Sequence, residues 1–333
     1  MALNGKTAAN PLRSPRLRLD SGRFTRGSEQ DRKDVAAQID QSLREFTYCQ
    51  VQLEPDTLRG ILPNWKIQSR KLFDLEESVK SLLSPTSKHS LGYSALGTDK
   101  VRGEIPILNE SYTCDAGPRT NWPDENLLPG FRGFATHLHM VLSDVLCDLI
   151  DCLSITMDLP PGQHLSQSHD CSDFRLGFLH YPSIASEAIP FGPGPGPGPG
   201  IQRNPTHIDS GTLTLLLSDG SGGLEVADRR ETVETRSSWF DKHGLFAPVD
   251  PQDDLVTVLT GNRLKKISGA RWKPTVHRVV AIYPTTSPAE ESTATHAEMP
   301  ERYSVALFSS SKAKATTAHA DSRDRTIPPS SSS

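Results

Sequence analysis

The sequence predicts an α+β protein whose helical N-terminal half packs against an all-β C-terminal half. Up to residue 160, apolar residues recur at intervals of three and four, which is the spacing of one helix face. After residue 170, short β-prone segments follow one another with turn residues between them. Consecutive strands without intervening helices form a sandwich or barrel rather than a doubly wound parallel sheet. We treat the two halves as one structural unit.

Three shorter helices are expected in the first hundred residues. The first has Asp34 as its candidate N-cap and one apolar face, made of Val35, Ile39, Leu43 and Phe46. The second begins near Asp56, and Pro63 should kink or restart it because proline lacks the amide hydrogen. A third covers residues 76–83.

The strongest helix signal is the apolar series over residues 131–152. Its three-to-four spacing is sustained until 158–161, where two prolines end it. Such a long apolar stripe indicates packing of the helix against the core.

The C-terminal half reads as six strands, each rich in branched or aromatic residues and bounded by turn residues. They cover residues 175–182, 212–217, 223–226, 255–259, 275–283 and 303–309.

Composition divides the chain into four parts. The ends are polar and lack apolar periodicity, which is typical of disorder. The predicted parts are a disordered segment 1–30, a helical region 31–165, a β core 170–311 and a disordered tail 312–333.

Charge and cysteine content exclude several classes of protein. The net charge of −4 gives no attraction for nucleic acid or an anionic membrane. No stretch approaches the roughly 18 apolar residues of a membrane span, and the N-terminus lacks the apolar run of a secretory signal. The five cysteines are scattered without a CxxC pair, as expected of free thiols in a reducing compartment. We expect a cytoplasmic monomer.

A candidate metal site is formed by two histidines and one carboxylate. His207 and Asp209 are two residues apart at the start of a strand-like run, so their side chains point to the same face. His277 lies in a second strand-like segment, 68 residues further on, and would supply the third ligand. Two histidines and one carboxylate on one side of a metal leave its other side open, as in non-heme Fe(II) oxygenases.

A candidate carboxylate clamp follows the second histidine. Arg302 and Ser304 are again two residues apart in a predicted strand, so they share a face. The guanidinium group offers a bidentate fork to a carboxylate and the hydroxyl offers one further donor. An open metal with such a clamp beyond it would form a complete cosubstrate site.

These motifs resemble the isopenicillin N synthase-like family of iron- and 2-oxoglutarate-dependent dioxygenases. The resemblance covers most of the chain, from Asp34 to Ser309. It is carried by the His-x-Asp of His207 and Asp209 with the following 210–216, by 222–226, 261–264 and 268–269, by His277 in His-Arg-Val, by Arg302-x-Ser304 and by Tyr181-Pro182.

The resemblance implies a double-stranded β-helix, or jelly roll, with supporting N-terminal helices. It implies Fe(2+) held by His207, Asp209 and His277, and 2-oxoglutarate as cosubstrate with its distal carboxylate on Arg302 and Ser304. The resemblance also implies that Tyr181 faces the cosubstrate. O2 is the oxidant, and ascorbate is a candidate reductant.

Two features depart from the family pattern. The initial strand with an Ile/Val-Asp-Leu signature is not recognisable, and residues 46–51 continue to Glu54 without the family's Asn-His-Gly. We therefore expect a shortened sheet edge, with a consequence for stability more than for chemistry.

The expected reaction is hydroxylation or desaturation of a small organic molecule. The long segments 183–205 and 284–300 are neither basic nor aromatic enough to track a nucleic acid. Because the family that the chain resembles oxidises many specialised metabolites, the resemblance implies a tailoring step on a small, largely apolar natural product.

Two alternatives remain open. One is an oxidase of the same fold that does not use 2-oxoglutarate, in which Arg302 and Ser304 would bind a substrate carboxylate. The other is a non-catalytic jelly roll that binds a small ligand. An intact three-ligand set disfavours the second, because three polar residues would be stranded in an apolar barrel without metal.

Overall fold

The computed structural model describes most of the chain between residues 27 and 309. The described residues are 16–17, 27–53, 61–101, 103, 105–157, 159, 164–170, 173–185, 201–230, 232, 234, 236–252, 255–281 and 298–309. The predicted tail 312–333, most of the predicted disordered segment 1–30, and most of the loops 183–205 and 284–300 lie outside them.

The helices are concentrated before residue 160. The described helices are α1 Glu29–Phe46, α2 Leu62–Phe73, α3 Glu77–Leu82, α4 Phe131–Thr156, α5 Ser237–His243 and α6 Asn262–Ile267. A single 3-10 turn, Leu165–Ser168, follows α4 within the described residues. The predicted long helix is confirmed, and Pro63 lies in the first turn of α2, where a missing amide hydrogen costs nothing.

Strands occur throughout the described part of the chain. They are β1 Arg16–Leu17, β2 Tyr48–Gln52, β3 Tyr93–Ser94, β4 Lys100–Val101, β5 Ile105–Pro106, β6 Glu110–Cys114, β7 Arg175–Tyr181, β8 Ile184–Ala185, β9 Gln202–His207, β10 Leu213–Ser218, β11 Leu224–Ala227, β12 Phe246–Pro248, β13 Leu255–Thr260, β14 His277–Val280, β15 Glu298–Met299 and β16 Arg302–Phe308.

Two sheets form the β core. Among the described residues, the larger has the strand order β1-β2-β13-β10-β16-β7-β6-β3 and the smaller has β12-β11-β14-β9. Apolar side chains of both sheets share one cluster, with Leu216 and Ala306 from the larger sheet and Leu224, Val226 and Val279 from the smaller. The sheets therefore face each other across an interior, which is the predicted jelly roll.

The two faces of the larger sheet have different roles. In β10 the residues Leu213, Leu215 and Leu217 belong to the main apolar cluster, which includes the buried face of α4. The alternate residue Leu216 belongs to the cluster between the sheets, and Thr214 and Ser218 share its face because strand side chains alternate. The helices thus support one face while the other is free to build a site.

The N-terminal half is not purely helical, and this part of the prediction is wrong. Strands β2, β3 and β6 extend the larger sheet on both sides. Strand β6 was missed because its sequence, Glu-Ser-Tyr-Thr-Cys, has no apolar alternation. Its polar residues are buried instead, with Glu110 and Ser111 each 6% exposed.

The start of the first helix was also misplaced. Ser28, not Asp34, caps α1, and its side chain and that of Asp31 form a reciprocal capping box. The helix thus begins inside the segment predicted to be disordered. Arg16 and Leu17, in the same segment, pair in parallel with β2, so the sheet edge is present as a two-residue strand.

Two remaining sequence expectations concern thiols and membranes. The four cysteines that the structure describes, Cys49, Cys114, Cys147 and Cys152, are free. None of the described helices has the length and apolarity needed to cross a membrane.

Candidate metal centre and active site

His207, Asp209 and His277 converge on one point between the sheets. One ligand atom from each lies within 4.8 Å of the others. The Nε2 atoms of His207 and His277 lie 3.6 and 3.9 Å from Oδ1 of Asp209. These separations exceed a hydrogen bond and are short enough for a single ion to contact all three groups.

Sheet register explains why residues far apart in the sequence meet. Strands β9 and β14 are antiparallel neighbours, and His207 is directly opposite His277. Their ring centroids are 4.2 Å apart. Asp209 lies two residues after His207, beyond the end of β9. Its carboxylate therefore reaches the same point from the loop that follows the strand.

Backbone carbonyls fix the tautomer of both histidines. Nδ1 of His207 lies 2.8 Å from the carbonyl oxygen of Pro205, and Nδ1 of His277 lies 3.3 Å from that of Thr275. Because a carbonyl only accepts, each Nδ1 must carry the hydrogen. The lone pair is then on Nε2, the atom directed at Asp209, as a metal ligand requires.

Asp209 is held as a carboxylate. Burial by itself would raise the pKa of Asp209, but His277, His207 and the hydrogen bond from Thr214 together bring that pKa below its ordinary value. The Thr214 hydroxyl donates to Oδ2 at 2.6 Å, which leaves Oδ1 directed at the two imidazoles. The sequence indicated Asp209 but not Thr214, although the period of two in 212–216 could have suggested it.

The backbone around Asp209 is anchored by the start of α6. The amide of Asn262 donates to the carbonyl oxygen of Asp209 at 2.9 Å, and that of Arg263 to Gly211 at 3.0 Å. A Cβ atom on Gly261 would lie 2.1 Å from the oxygen of Gly211. Only glycine allows this approach, so Gly261 keeps the loop in place.

The chemistry of these donors fits iron. Two neutral imidazoles and one carboxylate form the set that suits Fe(II) with open coordination positions. A cavity of about 610 Å³, lined in part by His207, opens beside them. A molecule in this cavity would be next to the ligand set.

Arg302 and Ser304 lie on β16, on the face directed between the sheets. Arg302 is 4% exposed and Ser304 is fully buried. The guanidinium donates to Ser304 Oγ at 2.9 Å, Ser218 Oγ at 3.2 Å and the Gly222 carbonyl at 2.9 Å. No carboxylate of the described residues forms an ion pair with it, so its buried charge is available to an anion.

Tyr181 is close to this arginine. It is directly opposite Arg302 in the β7–β16 register, and the guanidinium carbon lies 5.1 Å from its ring centroid. A second guanidinium, from Arg203 of β9, lies 5.3 Å from the same ring. Sequence analysis missed Arg203, which is an even number of residues before His207 on the same strand.

Comparison with known proteins shows the family of this chain. Residues 178–311 match the model of the 2OG-Fe(II) oxygenase superfamily. A proline hydroxylase of Petromyces alliaceus, buaE, is 30% identical over 248 residues, which are 70% of this chain and 67% of the relative. The chain belongs to the 2OG-Fe(II) oxygenase superfamily. The 2-oxoglutarate-dependent dioxygenase gloF of Glarea lozoyensis is 28% identical over 87% of this chain and 86% of its own length.

Solved structures of this superfamily share the fold. Neurospora crassa T7H in complex with alpha-KG superposes with a TM-score of 0.69 at 25% identity, over 89% of this chain and 85% of that chain. The same protein with alpha-KG and thymine gives a TM-score of 0.68 at 25% identity, over 88% and 85%.

Membership in the superfamily confirms several predictions. The protein is a non-heme iron, 2-oxoglutarate-dependent dioxygenase with a jelly-roll fold, and Fe(2+) and 2-oxoglutarate are its cofactor and cosubstrate. The comparisons favour this function over an oxidase independent of 2-oxoglutarate and over a non-catalytic binding protein.

Proposed function

We propose that His207, Asp209 and His277 hold one Fe(II) ion and that Arg302, Ser304 and Tyr181 hold the distal carboxylate of 2-oxoglutarate. The observation that carries this proposal is the convergence of the three ligand atoms within 4.8 Å. The Fe(II) ion would supply O2 activation coupled to conversion of 2-oxoglutarate into succinate and CO2, with oxidation of a substrate C–H bond.

The protein's contribution is to fix geometry. Pro205 and Thr275 orient the imidazoles through their Nδ1 hydrogens, while Thr214 and Asn262 fix the side chain and backbone of Asp209. Such neighbours of metal ligands commonly change metal affinity about 10–100-fold when removed. No further acid or base is required from the chain.

The clamp lies at a suitable separation from the ligand set. Thr214, which contacts Asp209, and Ser218, which contacts Arg302, are four residues apart on β10. At about 3.3 Å per residue their Cα atoms are about 13 Å apart. Side chains reaching inward from both positions leave room for a short dicarboxylic acid between them.

The substrate proposed is a small organic molecule, oxidised in a tailoring step of specialised metabolism. A relative named proline hydroxylase and a similar crystal structure containing thymine support a small substrate. We further propose that the chain works as a cytoplasmic monomer without nucleic acid or membrane partners, for which its net charge of −4 gives no attraction. The proposal that O2 and ascorbate act as oxidant and reductant is supported by the family resemblance.

A turnover experiment tests the function. Purified protein with Fe(II), 2-oxoglutarate and air is supplied with a panel that includes L-proline and thymine, and succinate and oxidised product are measured by mass spectrometry. We expect succinate from the wild type and from the exposed-site control His137→Ala, and none from Asp209→Ala. Product without succinate would establish the oxidase instead.

A further inference from the structure

The cavity beside the metal ligands has a distinctive lining. It holds about 610 Å³, within the range of roughly 300–1,000 Å³ typical of small-molecule sites. Its lining residues are Lys100, Val101, Ile107, His207, Ile208, Arg236, Ser237, Ser238 and Asn262. Two of these are cations and none is an acid.

Both cations keep N–H donors for a ligand, although Arg236 is ion-paired with Glu234. Arg236 donates to Glu234 from Nη2 at 2.9 Å and from Nε at 3.1 Å. A guanidinium group has five N–H hydrogens, so further donors remain for a ligand. No carboxylate among the described residues lies within ion-pair distance of Lys100.

We propose that the substrate carries a carboxylate, which Lys100 and Arg236 bind, and an apolar part that contacts Val101, Ile107 and Ile208. This inference rests on the proposed function, because it takes the cavity as the place where the substrate is oxidised. It revises the expectation of a largely apolar substrate. A small organic acid or amino acid fits this lining, with Ser237 and Ser238 as additional hydrogen-bonding groups.

The placement of the cations gives them a role in orientation. Lys100 lies on β4 and Arg236 is the N-cap of α5, whereas His207 ends β9. All three line the same cavity. A substrate bound by its carboxylate is therefore held at one end while its C–H bonds face the metal ligands, and such positioning is a large part of catalysis.

Matched acids and amides test this proposal by binding rather than turnover. The protein is loaded with Fe(II) and 2-oxoglutarate without O2, so that Arg302 is occupied and no reaction occurs. Isothermal titration then compares L-proline with L-prolinamide, L-leucine with L-leucinamide, and benzoate with benzamide. The proteins are the wild type, Lys100→Gln/Arg236→Gln, and the control Lys88→Gln/Arg175→Gln, which changes exposed cations outside the cavity.

We expect at least one acid to bind about tenfold or more tightly than its amide, the size of one charge-assisted hydrogen bond. This preference should disappear in Lys100→Gln/Arg236→Gln and persist in the control. Equal binding of acid and amide in every pair, no binding in any pair, or a preference that survives the double substitution would overturn the proposal.

The 2-oxoglutarate titration of the same samples separates the two levels of inference. Both double variants should bind 2-oxoglutarate like the wild type. A wild type that binds 2-oxoglutarate but shows no acid preference removes only the substrate proposal. A wild type that binds no 2-oxoglutarate overturns the proposed function and the substrate proposal with it.

Discussion

Two histidine–carboxylate clusters in this molecule are built in opposite ways. The first is the metal centre of His207, Asp209 and His277. The second, here called the outer cluster, consists of Lys80, Tyr93, Glu110, His180 and Glu301. It lies on the helix-facing side of the larger sheet, because His180 alternates with Tyr181 on β7.

The outer cluster satisfies its own hydrogen bonds. Glu110 accepts from Lys80 at 2.7 Å, from Tyr93 at 2.5 Å and from Nδ1 of His180 at 2.7 Å. Nε2 of His180 lies 2.9 Å from Glu301. Both ring nitrogens of His180 thus have carboxylate partners within hydrogen-bond distance, and no nitrogen is left for a metal.

The three groups of the metal centre, by contrast, do not hydrogen-bond to one another. Its Nε2 atoms point at Asp209 from 3.6 and 3.9 Å, without a hydrogen bond between them and the carboxylate. A cluster whose groups complete one another stabilises the fold, whereas one whose groups converge without meeting suits an ion. Proximity of histidine to carboxylate is therefore not sufficient to identify a metal site.

The largest effect on stability is expected from the outer cluster. Glu110→Gln removes the carboxylate on which Lys80, Tyr93 and His180 converge and leaves the buried Lys80 with only the largely exposed Glu77. Breaking a buried ion pair in this way typically costs about 3–5 kcal/mol. Denaturant unfolding measures the loss. Glu45→Gln, at an exposed position, should change stability by less than about 0.5 kcal/mol, and equal effects of the two substitutions would show that the outer cluster is not structural.

The outer cluster should also make stability depend on pH. Burial by itself would raise the pKa of Glu110, but hydrogen bonds from His180, Lys80 and Tyr93 bring that pKa below its ordinary value of 4.5. Its contribution is therefore present above pH 4.5 and is lost as the pH falls through the lower, folded value. Unfolding measured from pH 7 downward should show the wild type converging on Glu110→Gln below pH 4.5. A difference in the free energy of unfolding that stays constant with pH would contradict this expected pH dependence.

A smaller effect, on cosubstrate rather than on stability, is expected from Arg302→Gln. It removes charge-assisted hydrogen bonds worth about 1.5–3 kcal/mol, so the Kd for 2-oxoglutarate should rise about 10–100-fold. Iron content should not change. Arg175→Gln, at an exposed position at the start of β7, is the control. An unaltered Kd in Arg302→Gln would show that other residues bind the distal carboxylate.

The smallest of these effects concerns Thr214. Thr214→Val removes the hydrogen bond to Asp209 while keeping the side-chain shape, and should lower Fe(II) affinity about tenfold. Thr257→Val, at a buried position of the neighbouring strand β13, serves as the control. A variant of Thr214 with unchanged Fe(II) affinity would show that the hydroxyl does not position Asp209.

The sequence was informative about the metal centre because its residues obey local rules. The period of two correctly placed Arg302 with Ser304 on β16, where a hydrogen bond joins them. His207 and Asp209 also meet, although His207 ends β9 instead of opening a strand and Asp209 lies in the loop after it. The outer cluster was not predictable, since Glu110 meets partners 30 and 70 residues away. The polar strand β6 that carries it gives no apolar signal.

The residues that line the cavity could not be predicted from the sequence for a similar reason. Lys100 and Arg236 are ordinary surface cations in the sequence, and only the packing of β4 and α5 beside β9 brings them to one cavity with His207.

Fe(II) stoichiometry tests the difference between the two clusters most directly. Anaerobic titration of folded protein should give one Fe(II) per chain for the wild type and for His180→Gln, whose cluster is already complete. His207→Ala, Asp209→Ala and His277→Ala should each lose tight binding. Wild-type affinity in any of these three, or loss of iron in folded His180→Gln, would contradict the assignment of the metal centre.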